Sequence, residues 1–179
     1  TAAVFYVVLD PRPALPLSRV VQIAHRRGLP VIVDAAAELP PADNLHAFLD
    51  AGADLVLFSG GKQISGPNDS GILCGRRDLV EAAAAQAFPN NGIGRPLKVS
   101  KEQIVGLVFA LRRFVRLDWG AQMARWQRLA GRMRELLEGL NGVQADVAWP
   151  DGGARPLCIP RTRVVVEPGS GRPGIAALV

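Results

Sequence analysis

The sequence predicts an α/β fold built on a mostly parallel sheet. Short, β-branched apolar runs alternate with amphipathic segments of helical length. The runs are apolar throughout rather than alternating, as strands buried on both faces are. Glycine or proline punctuates most of the junctions.

The elements follow in order. Val4 to Leu9 is an apolar, β-branched run, and Asp10-Pro-Arg-Pro13 ends it as a strand. Leu17 to Arg27 carries Val20, Val21, Ile23 and Ala24 at helical spacing. Ser18 lies near its start and Gly28 just past its end, a helix stop. A buried strand is expected from Val31 to Asp34, a short helix from Asn44 to Asp50 stopped at Gly52, and a second buried strand from Asp54 to Phe58. Gly71-Ile-Leu-Cys-Gly75 reads as one more short strand and Arg77 to Ala87 as a helix. The second half changes character. Ser100 to Arg116 and Trp119 to Leu140 form two helices broken near Leu117-Asp118, and Ser100 with Gln103 makes a capping box at the first. Val143 to Trp149 and Arg161 to Glu167 are strands around a Gly/Pro-rich loop, and Gly169-Ser-Gly-Arg-Pro-Gly174 is a turn. Residues 1–98 are expected to be the later part of a large domain. Residues 99–179 are expected to be linker helices and the start of a small α+β domain. Both ends read as cut, since the chain opens inside a strand and stops as another element begins.

Composition narrows the function classes. Of 179 residues, 49% are hydrophobic and 21% charged, a globular balance, and no apolar run reaches the roughly 18 residues of a membrane span. The first residues carry no basic n-region and read as a strand rather than a signal peptide. Cys74 and Cys158 fit no metal or redox spacing and read as reduced thiols of a cytoplasmic protein, so no metal site is expected. The net charge of +5 is arginine-rich and spread along helices. Arg125, Arg128 and Arg132 share one helical face, near Arg112, Arg113, Arg116 and Arg134. No aromatics interleave with them for base stacking, so this is read as a solvated face rather than a nucleic-acid surface.

Two residues carry chemistry. Asp34 ends the apolar run Val31-Ile-Val, and Lys62 follows the run Asp54 to Ser59 through a Gly60-Gly61 pair. Taken singly, Asp34 also reads as a strand-end aspartate capping the next turn, and Lys62 as a solvated lysine. Together they match the needs of pyridoxal 5'-phosphate (PLP) chemistry. A lysine amine forms the Schiff base, and a carboxylate keeps the pyridine nitrogen protonated so that the ring acts as an electron sink. Ser59 lies within reach of a phosphate held beside Lys62, and Gly60 and Gly61 permit positive φ and close backbone approach to a ligand. Gly66 to Gly71 is a second permissive loop. Glu38, four residues after Asp34, either lines the site or is solvated. His25 and His46 sit on helices and read as surface or satisfied histidines.

Residues 29–113 resemble the fold-type-I PLP enzymes of the selenocysteine synthase (L-seryl-tRNA selenium transferase) type. The matching pieces are Gly28-Leu-Pro-Val-Ile-Val-Asp34, Ser59-Gly-Gly-Lys62, the Gly66-Pro67 to Gly75-Arg76 segment, and Arg95-Pro-Leu-Lys-Val-Ser-Lys101. The resemblance implies that Lys62 carries the cofactor, Asp34 meets the pyridine nitrogen, Ser59 and Gly61 lie at the cofactor, and Ala36 packs on its ring. It places Arg95 and Lys98 in a basic segment near the substrate. It also implies a homo-oligomer, and a glycine-rich phosphate loop upstream of residue 1. Departures set the subfamily. The tRNA-dependent enzymes have an aspartate where Gly61 stands, and a Gly/Ser-rich segment where this chain has Ala35-Ala-Ala-Glu-Leu-Pro-Pro41. That segment, with Asn44, Leu45 and Phe48, is closer to relatives of the D-glucosaminate-6-phosphate ammonia-lyase type. The expected activity is therefore α,β-elimination on a small amino-group-bearing substrate, with no membrane or nucleic-acid partner. Selenium transfer on seryl-tRNA and a catalytically silent, partner-binding PLP fold are the alternatives.

Overall fold

The computed structural model describes residues 1–8, 15–150 and 158–167. The expected stop at Asp10 to Pro13, most of the Gly/Pro loop before Arg161, and the turn at Gly169 to Gly174 lie outside the described residues. The chain forms two compact units, Thr1–Leu117 and Asp118–Val179. The division falls where the sequence breaks its two long helices. The first unit therefore includes the helix that the sequence places with the linker.

The first unit holds a four-stranded sheet in the order β1 (Val4–Val7), β2 (Val31–Asp34), β3 (Leu55–Ser59), β4 (Gly71–Gly75). Among the described residues it is accompanied by α1 (Leu17–His25), α2 (Asn44–Asp50), α3 (Arg77–Gln86) and α4 (Lys101–Phe114). β1, β2 and β3 run parallel, with Val7 opposite Asp34 and Asp34 opposite Leu57. β4 runs antiparallel to β3, with Ser59 opposite Gly71, so the sheet is mostly parallel as expected. The linking residues 60–70 contain no helix. A parallel return needs a crossover of about a dozen residues or more, usually helical, so the chain turns straight back.

The core lies where the sequence is apolar on both faces. Val31, Val33, Val56 and Phe58 are essentially inaccessible. α1 packs Val21 and Ala24 against β2 and ends at Gly28, whose φ of 65° is the left-handed stop the sequence signalled. α2 sets Phe48 with its ring centroid 6.4 Å from that of Phe58. Coverage thins at β1, where Phe5 and Val7 stay 60% and 40% exposed. At α4 the capping box is present as read: Ser100 Oγ accepts the Gln103 N–H at 3.2 Å, and the Ser100 N–H donates to Gln103 Oε1 at 2.8 Å.

The second unit is α5 (Trp119–Leu137) on an antiparallel hairpin of β5 (Val143–Ala148) and β6 (Arg161–Val166). Asp118 caps α5 by accepting the Ala121 N–H at 2.9 Å. Thr162 Oγ1 donates to the Ala130 carbonyl at 3.0 Å, fixing β6 on the helix. Among the described residues no helix is long and apolar enough to cross a membrane.

Candidate active site

The parallel pairing of β2 and β3 brings their carboxyl ends to one edge of the sheet. β2 delivers Asp34 there, and β3 delivers Ser59 and, just beyond it, Lys62. Neighbouring strands lie about 4.8 Å apart. Carboxylate and amine-bearing turn thus share the edge at which open α/β sheets bind ligands.

Asp34 is half-buried, and its Oδ1 accepts the Ala36 N–H at 3.0 Å. That is the turn-capping contact open to any strand-end aspartate, and it fixes the carboxylate by one oxygen. Ala36, also half-buried, sits directly beside it. Lys62 is exposed, on a turn closed by two backbone bonds. The Ser65 N–H donates to the Lys62 carbonyl at 2.9 Å, and the Gly66 N–H to the Gly60 carbonyl at 2.8 Å. Inaccessible Ile64 roots this turn in the core, and Ser65 takes the left-handed step at φ 61°.

The glycine pair works differently from its expected role. Neither Gly60 nor Gly61 has a positive φ. A Cβ on Gly61 would stand 2.6 Å from Asn68 Cα and 2.7 Å from Asn68 Oδ1. One on Gly60 would collide with Ser70 Oγ and stand 2.9 Å from the Ser70 carbonyl oxygen. The space the glycines leave is filled by the Gly66–Ser70 loop, which folds back so that the Gly60 N–H donates to the Ser70 carbonyl at 2.9 Å. Asn68 and Ser70 are therefore part of the lysine's support. The sequence marks both only as members of the permissive Gly66 to Gly71 loop, not as the residues that pack on the glycine pair.

Glu38 is 7% exposed, so the solvated reading of it fails. Asn44 Nδ2 donates to its carbonyl at 2.6 Å, tying the segment after Asp34 to the start of α2. Arg95 and Lys98 lie on the loop between α3 and α4. Their charged ends converge on the Phe88 ring, 5.5 and 5.3 Å from its centroid. Arg95 also donates to the Pro89 carbonyl, so this loop is bonded to itself. The structure thus gathers Asp34, Ala36, Ser59, Gly61 and Lys62 at one edge and sets Arg95 and Lys98 on a separate loop. Arg112, Arg113 and Arg116 are exposed and line, with Phe109, a concavity of about 360 Å³ that contains none of these residues. Among the described residues no group of three or more His, Cys, Asp or Glu side chains converges as a metal site.

Comparison with known proteins bears on this edge. Residues 14–94, which include Asp34 and Lys62, match the aminotransferase class-V family. Over that stretch the chain is similar to an aminotransferase class-V domain. Its relatives include a 5'-C-glycyluridine monooxygenase-decarboxylase of Streptomyces, 37% identical over 99% of this chain and 43% of the relative. A D-glucosaminate-6-phosphate ammonia lyase of Salmonella typhimurium is 35% identical over 86% of this chain and 39% of the relative. A solved structure of D-glucosaminate-6-phosphate ammonia-lyase matches 93% of this chain and 42% of its own, with TM-score 0.70. An L-seryl-tRNA(Sec) selenium transferase of Desulfovibrio desulfuricans is 30% identical over 91% of this chain and 39% of the relative. The chain spans about two-fifths of the length of these relatives. The class-V domain has the fold of fold-type-I PLP enzymes, and class-V aminotransferases and the related lyases depend on PLP. The residues at the sheet edge fit that cofactor in chemistry: a fixed carboxylate on one strand, and an exposed primary amine on the turn after its neighbour.

Proposed function

We propose that the full-length protein is a PLP-dependent lyase-type enzyme acting on a small molecule that bears an α-amino acid group. The observation that carries the reading is the placement of Asp34 and the Lys62 turn at the carboxyl ends of adjacent parallel strands. Lys62 would hold the cofactor covalently. Asp34 would meet its ring nitrogen, with Ala36 on the ring face and Ser59 and the Gly61 backbone toward its phosphate. Bound there, the cofactor supplies an electron sink for negative charge developing at the substrate α-carbon. Once displaced by the substrate amine, Lys62 is the base that takes the α-proton. The fixed Asp34 carboxylate keeps a positive charge opposite it stable. The reaction class is α,β-elimination: Lys62 would take the α-proton and return it to the departing β-hydroxyl, which leaves as water, and the unsaturated amine would then tautomerise and be hydrolysed by water to a carbonyl and ammonia. Arg95, Lys98 and Glu38 are assigned to substrate binding, the two cations for an anionic group. A homo-oligomer in the cytoplasm completes the reading.

The names of the relatives support the substrate class, since glycyl, glucosaminate and seryl groups all carry an amine beside a carboxyl carbon. Seryl-tRNA selenium transfer is the second reading, supported by the third of those relatives. The close fit of Gly61 to Asn68 favours the first, because the aspartate of the tRNA-dependent enzymes has no room there. The test is borohydride reduction of the full-length protein with PLP, followed by peptide mapping. The pyridoxyl label is expected on Lys62. A label on Lys98 or Lys101 would overturn the assignment, and no label would favour a silent binding fold.

A further inference from the structure

One face of α4 is built against the loop that follows Lys62. Gln103, Gly106, Leu107 and Ala110 recur at the three- and four-residue spacing of a single helical face. A Cβ on Gly106 would stand 3.0 Å from Pro67 Cγ. Leu107 Cδ1 lies 3.3 Å from where a Gly66 Cβ would be and 2.8 Å from a Gly60 Cβ, and the Ala110 methyl is 3.4 Å from that of Gly66. The loop therefore meets the helix with little space between them. Gln103 is the polar member of this face. Its Oε1 accepts the Ser100 N–H at 2.8 Å, completing the cap, while its Nε2 donates to Asp69 Oδ2 at 3.3 Å. Ser70, the next residue, bonds through its carbonyl to Gly60, where the lysine turn begins.

We propose that Gln103 is a positioning residue for Lys62. Through Asp69 it holds the Gly66–Ser70 loop against Gly60 and Gly61, and so fixes the direction from which Lys62 presents its amine. The inference rests on the reading of Lys62 as the cofactor-bearing lysine. Capping needs only the side-chain acceptor, which glutamate supplies as readily as glutamine. A donor to the Asp69 carboxylate must be the amide. The two roles of Gln103 therefore separate by substitution.

The experiment compares Gln103→Glu, Asp69→Asn and the double variant in the full-length protein. Hydrogen exchange at the Gly60 and Gly66 amides and the rate at which an amine reagent labels Lys62 are read without cofactor. PLP affinity is read by titration. Gln103→Glu keeps the cap but sets two carboxylates face to face. Exchange at Gly60 and Gly66 and the PLP dissociation constant should each rise about fivefold, the amount that one hydrogen bond of ~1 kcal/mol represents, with Lys62 labelling altered and global stability lowered by no more than that amount. The double variant should restore all three readouts, because an amide at position 69 can donate to a carboxylate at position 103. Parental behaviour of Gln103→Glu, or a double variant no better than the single one, would overturn the proposal. A borohydride label elsewhere than Lys62 in the parent would remove the functional reading, while exchange at Gly60 and Gly66 would still decide whether Gln103 holds the loop.

Discussion

His25 Nε2 lies 2.8 Å from Asp54 Oδ2, joining the last turn of α1 to the start of β3 at the end of that strand opposite Lys62. The same carboxylate accepts the Val31 N–H at 2.7 Å and Arg76 Nη1 at 3.0 Å. Three segments distant in sequence thus meet on one buried acid, 7% exposed. A strand-start aspartate that no local sequence pattern singles out is the clasp of the sheet's amino edge.

That clasp predicts acid sensitivity. Burial by itself raises the Asp54 pKa, but the Val31 amide, His25 and Arg76 together outweigh it and hold the carboxyl below its ordinary value. A depressed folded-state pKa gives stability that is present above the unfolded value of about 3.9 and lost as pH falls through the folded value. Urea unfolding of the full-length protein should show stability falling as pH drops below about 4. Asp54→Asn should flatten that fall and cost ~2 kcal/mol at neutral pH, a figure reduced because His25 and Arg76 are half-exposed. A variant curve parallel to the parent's would show that Asp54 does not titrate with folding.

Asp34→Asn separates the chemistry from the fold. The amide oxygen can still accept the Ala36 N–H, so the turn survives. A neutral amide cannot hold a proton on the ring nitrogen. With each ~1.4 kcal/mol of lost transition-state stabilisation worth tenfold, turnover should fall by about two decades or more. Borohydride should still label Lys62. Turnover within about threefold of the parent would mean that another group meets the ring nitrogen.

Gly75 tests how closely β3 and β4 approach. Its φ is 141°, and a Cβ there would collide with the Asp54 carbonyl oxygen and stand 2.9 Å from Leu55 Cα. Gly75→Ala should cost ~3 kcal/mol, since backbone on both sides must move. Gly28→Ala is the control: its φ of 65° is also left-handed, but nothing lies within 4 Å of the new methyl. Its cost should be ~1 kcal/mol. Equal losses in chemical denaturation would show that dihedral strain, not crowding, governs both.

The sequence made some of this legible and hid the rest for physical reasons. β2 and β3 could be read because buried strands are apolar on both faces, and α1 and α4 because Gly28 and the Ser100–Gln103 box are local signals. The direction of β4 was hidden, since a short apolar strand reads alike either way and only the helix-free link to it decides. Asp34 and Lys62 stood out because each follows a strand. The contacts that support them did not, because Asn68 on Gly61 and Gln103 on Asp69 depend on how loops fold back. Glu38 was ambiguous for the same reason: it is buried together with Leu39 and Pro40, and spacing from Asp34 says nothing of that.

Gly61→Asp introduces the residue of the tRNA-dependent relatives and tests what the glycine is for. The new Cβ would sit 2.6 Å from Asn68 Cα and 3.3 Å from its nitrogen, so backbone, not merely a flexible side-chain end, must yield. Overpacking of this kind costs ~2 kcal/mol. The strain falls on the loop that holds the Lys62 turn, so PLP affinity should drop along with stability. Asn68→Gly in the same chain removes the Oδ1 contact at 2.7 Å and gives the loop freedom to retreat. The double variant should recover part of the lost PLP affinity. Titration of parent, single and double variants in the full-length protein supplies the comparison. If Gly61→Asp binds PLP as the parent does, the loop accommodates the side chain without strain. Gly61 then does not separate this chain from the selenium transferases, and the argument from Asn68 against that second reading fails.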